Sequence, residues 1–191
     1  HQIPEYGLVE VFTTQRINDT SWHMIGPDEW VPEHTLGLVQ PDPSPPEGVT
    51  SDRWIEINLF EQTLSVYDQS RLVFATLIAS GAEPYYTRPG IFTIYERLET
   101  TAMRGAFEAD RSDFYYLEDV PYILYYDQLR AIHGAYWNTY LGDAGSHGCV
   151  NMSVADAHWI YDWAKEGDFV YVWDPTGKTP TDPSYYGAGG F

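Results

Sequence analysis

Cysteine is almost absent from this chain of 191 residues, where Cys149 is the only one. A lone thiol excludes an internal disulfide framework and leaves the redox compartment unmarked. Basic residues are scarce too, 10 against 28 acidic ones, for a formal net charge of −18. Phosphate binding requires clustered Lys and Arg, so the balance argues against nucleic acid and anionic membrane surfaces as partners. No run of about 18 apolar residues occurs, so no transmembrane segment is expected in this chain. A leader with charged, apolar and small-residue regions is also lacking at the start, and the sequence is read as beginning after one. What remains is a chain with 43% hydrophobic residues, enough for one core of moderate size and a small additional module.

The single cysteine sits in Ser146-His147-Gly148-Cys149-Val150-Asn151, a short span after His133. A thiol is a strong nucleophile as thiolate, and a neighbouring imidazole is the usual means of taking its proton. His133 and His147 are both candidates for that base. Gly148, without a Cβ, lets the backbone turn sharply and aim N–H groups at a developing oxyanion. The competing possibility is a zinc site of His133, His147, Cys149 and His158, since the ligand types are right. Their spacing lacks the close pairs of structural zinc sites, and His158 falls inside a predicted helix, so no metal and no organic cofactor are expected. His23, His34 and His158 are read as surface or satisfied core histidines, and His1 as a terminus left by processing.

The order of the residues narrows the choice among thiol enzymes. Papain-like and NlpC/P60-like peptidases place cysteine before histidine, the reverse of this chain. Sortases share the His-then-Cys order, but their arginine follows the cysteine, and the last arginine here is Arg130. The Gln-Ala-Cys-x-Gly signature of caspases is absent.

The run from His133-Gly134 through Ser146-His147-Gly148-Cys149-Val150-Asn151 resembles the signature of the L,D-transpeptidases of bacterial cell walls, the YkuD family. Thr87-Arg88-Pro89-Gly90-Ile91-Phe92 is similar to that family's Thr-Pro-x-Gly-x-Phe segment, with arginine in place of proline at Arg88. The likeness extends over about Trp54 to Trp173, and the His133 to Cys149 separation is at the short end of the family's range. It implies that Cys149 is the acyl-accepting nucleophile and His133 the general base, its tautomer fixed by the Gly134 carbonyl. His147, Gly148 and Cys149 would shape the oxyanion hole, His147 would belong to the site without a fixed role, and Ser146 and Asn151 would hydrogen-bond around it. Tyr116, matched to a lid tyrosine of some members, and Trp137 are the candidate substrate-binding aromatics. The implied partners are peptidoglycan stem peptides, the implied location is extracytoplasmic, in the wall or periplasm, and carbapenems are implied inhibitors. Cross-linking, L,D-carboxypeptidase action and non-catalytic peptidoglycan binding are the readings that this leaves open.

The expected fold is mainly β, a YkuD-like β-sandwich or mixed sheet with one helix after the catalytic loop, preceded by a small β module. Residues 1–40 form that module, in which Leu8 to Phe12 and Trp30-Val31 read as strands around an Asn18-Asp19 turn. Ser21 to Val31 resembles the later strands of bacterial SH3-like wall-binding modules. Residues 41–50 form a proline-rich, stiff linker, residues 51–174 the catalytic domain and residues 175–191 an irregular tail. Trp54 to Leu59, Thr63 to Tyr67, Leu72 to Ala79, Ile91 to Tyr95, Tyr122 to Tyr126, Ala131 to His133 and Asp168 to Trp173 read as strands. A helix is expected from Ser153 to Glu166, with Ser153 as N-cap, Gly167 at C′ and an apolar stripe of Val154, Ala157, Tyr161 and Ala164. Glu96 to Asp119, polar and aperiodic, reads as a lid over the cysteine. Within it Phe107, Phe114, Tyr115 and Tyr116 are candidates to line a groove, and Arg104 or Arg111 to bind a carboxylate.

Overall fold

The computed structural model describes residues 6–106, 110–112 and 114–186. Strands carry nearly all of its regular structure, as the period-2 apolar patterns predict. Strand β1 (Thr13–Ile17), β2 (Thr20–Gly26) and β3 (Glu29–Pro32) form a small antiparallel sheet. Asn18 and Asp19, both in the left-handed region, make the tight turn between β1 and β2. The first strand therefore starts at Thr13, whereas Leu8 to Phe12 was the expected run. The apolar residues there do not alternate into a sheet, and Phe12 contributes only one ladder bond, its N–H donating to the Met24 carbonyl at 2.8 Å.

The proline-rich segment that follows makes contacts with residues further along the chain. The Leu38 N–H donates to the Glu61 carboxylate at 2.9 Å, the Tyr67 hydroxyl accepts from the Asp42 N–H at 3.3 Å, and Val49 is buried beside Trp54 and Tyr67.

Two sheets face each other across one core. Strands β4 (Trp54–Asn58), β5 (Thr63–Asp68), β6 (Arg71–Leu77), β7 (Gly90–Thr93) and β12 (Phe169–Trp173) form a sheet in the order β6-β5-β4-β12-β7. Strands β8 (Glu96–Gly105), β9 (Tyr115–Asp127), β10 (Arg130–Gly134) and β11 (Val150–Met152) form the other, in the order β11-β10-β9-β8. Between them Ile55, Ile57, Leu64, Val66 and Val172 meet Leu124, Tyr126, Ile132, Val150 and Met152. Helix α1 (Val154–Trp163) completes this core with Ala157, Ile160 and Ala164. Burial of an isoleucine such as Ile160 contributes about 2–3 kcal/mol at the usual value per unit of apolar area.

The helix follows the catalytic loop as expected, capped by Ser153, whose side chain accepts from the Asp156 N–H. It ends three residues early. Ala164 leaves the helical region, and the left-handed Gly167 serves the turn into β12 instead of the C′ position. The buried stripe is correspondingly rotated: Val154 is 37% exposed, and Ile160 takes the place given to Tyr161. The stretch Glu96 to Asp119 also differs from its sequence reading. Most of it is paired as the β8–β9 ribbon, in which Leu98, Met103, Tyr115 and Leu117 pack into a second apolar cluster while charged residues such as Arg104 and Glu118 are exposed on the other side. A bulge between Thr101 and Met103 obscures the alternation in the sequence.

Candidate active site

The site lies on the face of the β8–β11 sheet turned away from the main core. There Met103, Val120, Ile123 and Ala131 form a second, smaller apolar cluster, and Cys149 packs against it. Strands β10 and β11 are parallel, with His133 opposite Asn151. Cys149 itself lies in the bend just before β11, and its Sγ is 3.8 Å from the Leu129 carbonyl oxygen, beside the start of β10.

His133 is buried, and its Nδ1 lies 3.1 Å from the Gly134 carbonyl oxygen. A carbonyl accepts only, so the proton sits on Nδ1 and Nε2 is the basic nitrogen. Burial pushes the imidazole pKa down to about 4, against a smaller opposing effect of the Gly134 hydrogen bond. Cys149 is half-buried, and burial raises its thiol pKa. A hydrogen bond from the Ala131 amide and the charge of Arg130 work in the other direction. Both main shifts favour the neutral forms, so a neutral thiol faces a neutral base.

The loop that presents Cys149 is tightly braced. Ser146 Oγ donates to the Cys149 carbonyl at 2.5 Å and accepts from the Gly148 N–H at 3.1 Å. Thr87 Oγ1 donates to the Gly148 carbonyl at 2.9 Å and accepts from the Gly81 N–H at 2.8 Å. Asn151 exchanges backbone hydrogen bonds with Ala79, both 2.9 Å, and Gly145 and Ser146 N–H groups donate to the Ser80 carbonyl. Gly148 has φ +110°, which strains any residue with a side chain, and a Cβ there would meet Arg130 Nε at 3.3 Å. Since the Gly148 N–H is engaged by Ser146, the loop's oxyanion donors have to come from elsewhere, the Cys149 amide first.

The other candidates separate by sheet face. His147 is exposed between two rings, with centroids 4.8 Å from Tyr85 and 5.6 Å from Tyr115. Trp137, 38% exposed, sits 5.7 Å from the His133 ring. Tyr116 is not brought to the site: at 53% exposure it lies on the outer side of the ribbon, opposite the exposed Arg104. Its neighbour Tyr115 points the other way, into the cluster with Cys149. Arg111 and Phe114 pair with each other, guanidinium over ring at 5.1 Å. Phe107 lies outside the described residues. His158 is on the helix, stacked on Tyr122 at 4.4 Å, and takes no part in the site. Among the described residues no group of three or more His, Cys, Asp or Glu is arranged to hold a metal ion.

Sequence reasoning named Tyr115 only among the groove candidates while singling out Tyr116, and it gave Asp127 and Arg130 no place in the site. Strand alternation with Leu117 was the available signal for Tyr115. For Arg130 the only signal was its place three residues before His133, next to the strand expected from Ala131 to His133.

A thiol in a braced loop and an imidazole whose Nδ1 carries the proton, leaving Nε2 basic, are the groups that acyl transfer through cysteine uses. The chain belongs to the YkuD family, L,D-transpeptidase catalytic domain, whose family model matches residues 52–172. L,D-transpeptidase 2 of Mycobacterium tuberculosis (strain CDC 1551 / Oshkosh) is 42% identical over 52 residues, covering 25% of this chain and 12% of that protein. Among solved structures, an L,D-transpeptidase from Mycobacterium smegmatis superposes with a TM-score of 0.60 at 22% identity, over 64% of this chain and 58% of that one. An LD transpeptidase solved in complex with imipenem superposes equally well, TM-score 0.60 at 22% identity over 64% and 59%. At that identity the two structures show the fold, and the chain spans less than two thirds of each of these relatives. The family match starts at residue 52, so the β1–β3 sheet falls outside it.

Proposed function

We propose that the protein is a peptidoglycan L,D-transpeptidase acting through a Cys149 thioester, with His133 as general base. What supports this is the family match over residues 52–172 together with the placement of His133 on β10 and of Cys149 just before its parallel neighbour β11, the His133 tautomer being set by the Gly134 carbonyl. Nε2 takes the Sγ proton as sulfur attacks the amide that joins the third stem residue to D-alanine. The S–C bond forms, the oxyanion is held by the Cys149 amide, and the C–N bond breaks as the proton passes from Nε2 to the leaving D-alanine amine. The side-chain amine of a diamino acid on a second stem then attacks the thioester, losing its proton to Nε2, and thiol is regenerated with a 3→3 cross-link. With water in that place the same site is an L,D-carboxypeptidase.

Tyr115, packed in the cluster with Cys149, His147, stacked on Tyr115, and Trp137, beside His133, are proposed to hold the stem peptide. Since the family's chemistry is on the cell wall, the protein would work outside the cytoplasm. No helix of the described residues is long and apolar enough to cross a membrane.

The test is intact-protein mass spectrometry after mixing with imipenem. One covalent adduct on the parent and none on Cys149→Ala is the expected result, and muropeptide assays then distinguish cross-linking from trimming. A folded parent that takes up no adduct would overturn the proposal.

A further inference from the structure

Beside Cys149 stands a buried charge group that the signature residues do not include. Asp127, whose side chain is 3% exposed, accepts from Arg88 Nε at 2.8 Å and Arg88 Nη2 at 2.5 Å, and from Arg130 Nη1 at 3.2 Å. Arg130 is itself 6% exposed along its side chain, with Nε packed against Gly148 and its guanidinium 5.2 Å from the Tyr186 ring. Two guanidiniums share one carboxylate, so the three groups together carry one net positive charge. Arg88 is the residue that stands where the family segment has proline. Its fork onto Asp127 is what orders the carboxylate, because a bidentate pair fixes both oxygens at once.

We propose that Arg130 is a positioning residue for Cys149: held by the Arg88–Asp127 pair against the Gly148 turn, it supplies the positive field that favours thiolate at the nucleophile. This rests on the reading of Cys149 as the nucleophile. The other titratable groups around the sulfur do not offer such a field. Tyr95 and Tyr125 are phenols whose ionisation burial pushes upward, Tyr125 to about 12, and Tyr126 is pushed up likewise. His133 is held neutral by burial. His147 and Tyr115 stack on the open side. Arg130 is the cation whose charge acts on the thiol against the cost of burial.

Because Cys149 is the only cysteine, alkylation with iodoacetamide reports its thiolate without ambiguity. The rate would be followed by intact mass from about pH 5 to about pH 10, a range that brackets ordinary thiol ionisation. For Arg130→Met the expected result is alkylation slowed about tenfold near neutral pH, with the midpoint moved upward, as loss of a nearby opposite charge requires. Arg130→Lys should recover most of the loss, and Arg88→Gln should slow the reaction by about two- to threefold through a loosened Asp127. A brace that only held the loop would leave the midpoint where it is. An unmoved midpoint in a folded Arg130→Met protein overturns the proposal, and if that variant does not fold, an unmoved midpoint in Arg88→Gln does so. Failure of imipenem to acylate the parent would instead strike the proposed function, since alkylation does not depend on turnover.

Discussion

Acid should destabilise this protein through His133, and the size of the effect follows from its burial. The imidazole titrates at about 4 in the folded state against 6.5 for an ordinary histidine, because burial disfavours its charged form. The unfolded chain therefore binds the proton more readily, so stability is fully present above about pH 6.5 and is lost as pH falls towards 4. Integrating the proton difference gives a loss of about 2 kcal/mol between pH 7 and pH 5, rising to about 3 kcal/mol by pH 4. Urea unfolding followed by tryptophan fluorescence at these pH values measures it. Carboxylates held low in the fold add to acid sensitivity. Asp174 is one: burial opposes its ionisation, but hydrogen bonds from Thr176 and Thr179 hold it at about 2. The relevant quantity is thus the difference in pH dependence between the parent and His133→Gln, in which the titrating ring is gone. Equal pH dependence in the two proteins would refute the reasoning, since it would mean that the imidazole is solvated and not buried on the sheet face.

Other substitutions test the site and the core. Gly148→Ala should fold but accept acyl groups at least tenfold more slowly, because φ +110° costs a residue with a side chain about 1–3 kcal/mol and the loop would relax away from its strained shape; unchanged imipenem acylation would count against that strain. Tyr115→Ala should impair acylation, while Tyr116→Ala, on the outer side of the ribbon, should leave it near the parental rate; the reverse ranking in a mass-spectrometric time course would show the ribbon register to be wrong. Ser146→Ala leaves the buried Gly148 N–H without its acceptor and should lower stability by about 1–3 kcal/mol in urea titration. Ile160→Ala, at the centre of the core, should cost about 2–5 kcal/mol with the denaturant slope unchanged.

The sequence was most readable where chemistry is local. Cys149 and Ser146 occupy one short loop, His133 is at the expected strand end, and the alternation of Trp54 to Leu59 and Thr63 to Tyr67 gives the strands of one sheet. What it hid depends on geometry that no window contains. Leu8 to Phe12 has the composition of a strand but no partner row, whereas the polar Thr13–Ile17 has one in β2. The β8–β9 ribbon escaped because its outer face is charged and a bulge breaks its period. The helix end was misplaced by Gly167, whose left-handed conformation belongs to the following turn. Asp127 and Arg88 are far apart in sequence, and nothing short of the fold brings them to one ion pair.

The two ionisations at the centre bear on how the thiol is activated. A preformed thiolate–imidazolium pair needs a low thiol pKa and a high imidazole pKa, and burial moves each the opposite way here. Both groups are therefore neutral at rest, and on the proposed mechanism charge would appear only as sulfur meets the carbonyl and Nε2 takes the proton. Separating charge in a buried place is costly unless fixed dipoles and ions already point at it. The braced Ser146–Cys149 loop, the Ala131 amide and the Arg130 guanidinium are fixed before substrate arrives, so they need no reorganisation at that moment. A neutral resting thiol also resists stray oxidation and alkylation, which follow thiolate character. An enzyme outside the cytoplasm would gain from reactivity that develops chiefly when an acyl donor lies across the site.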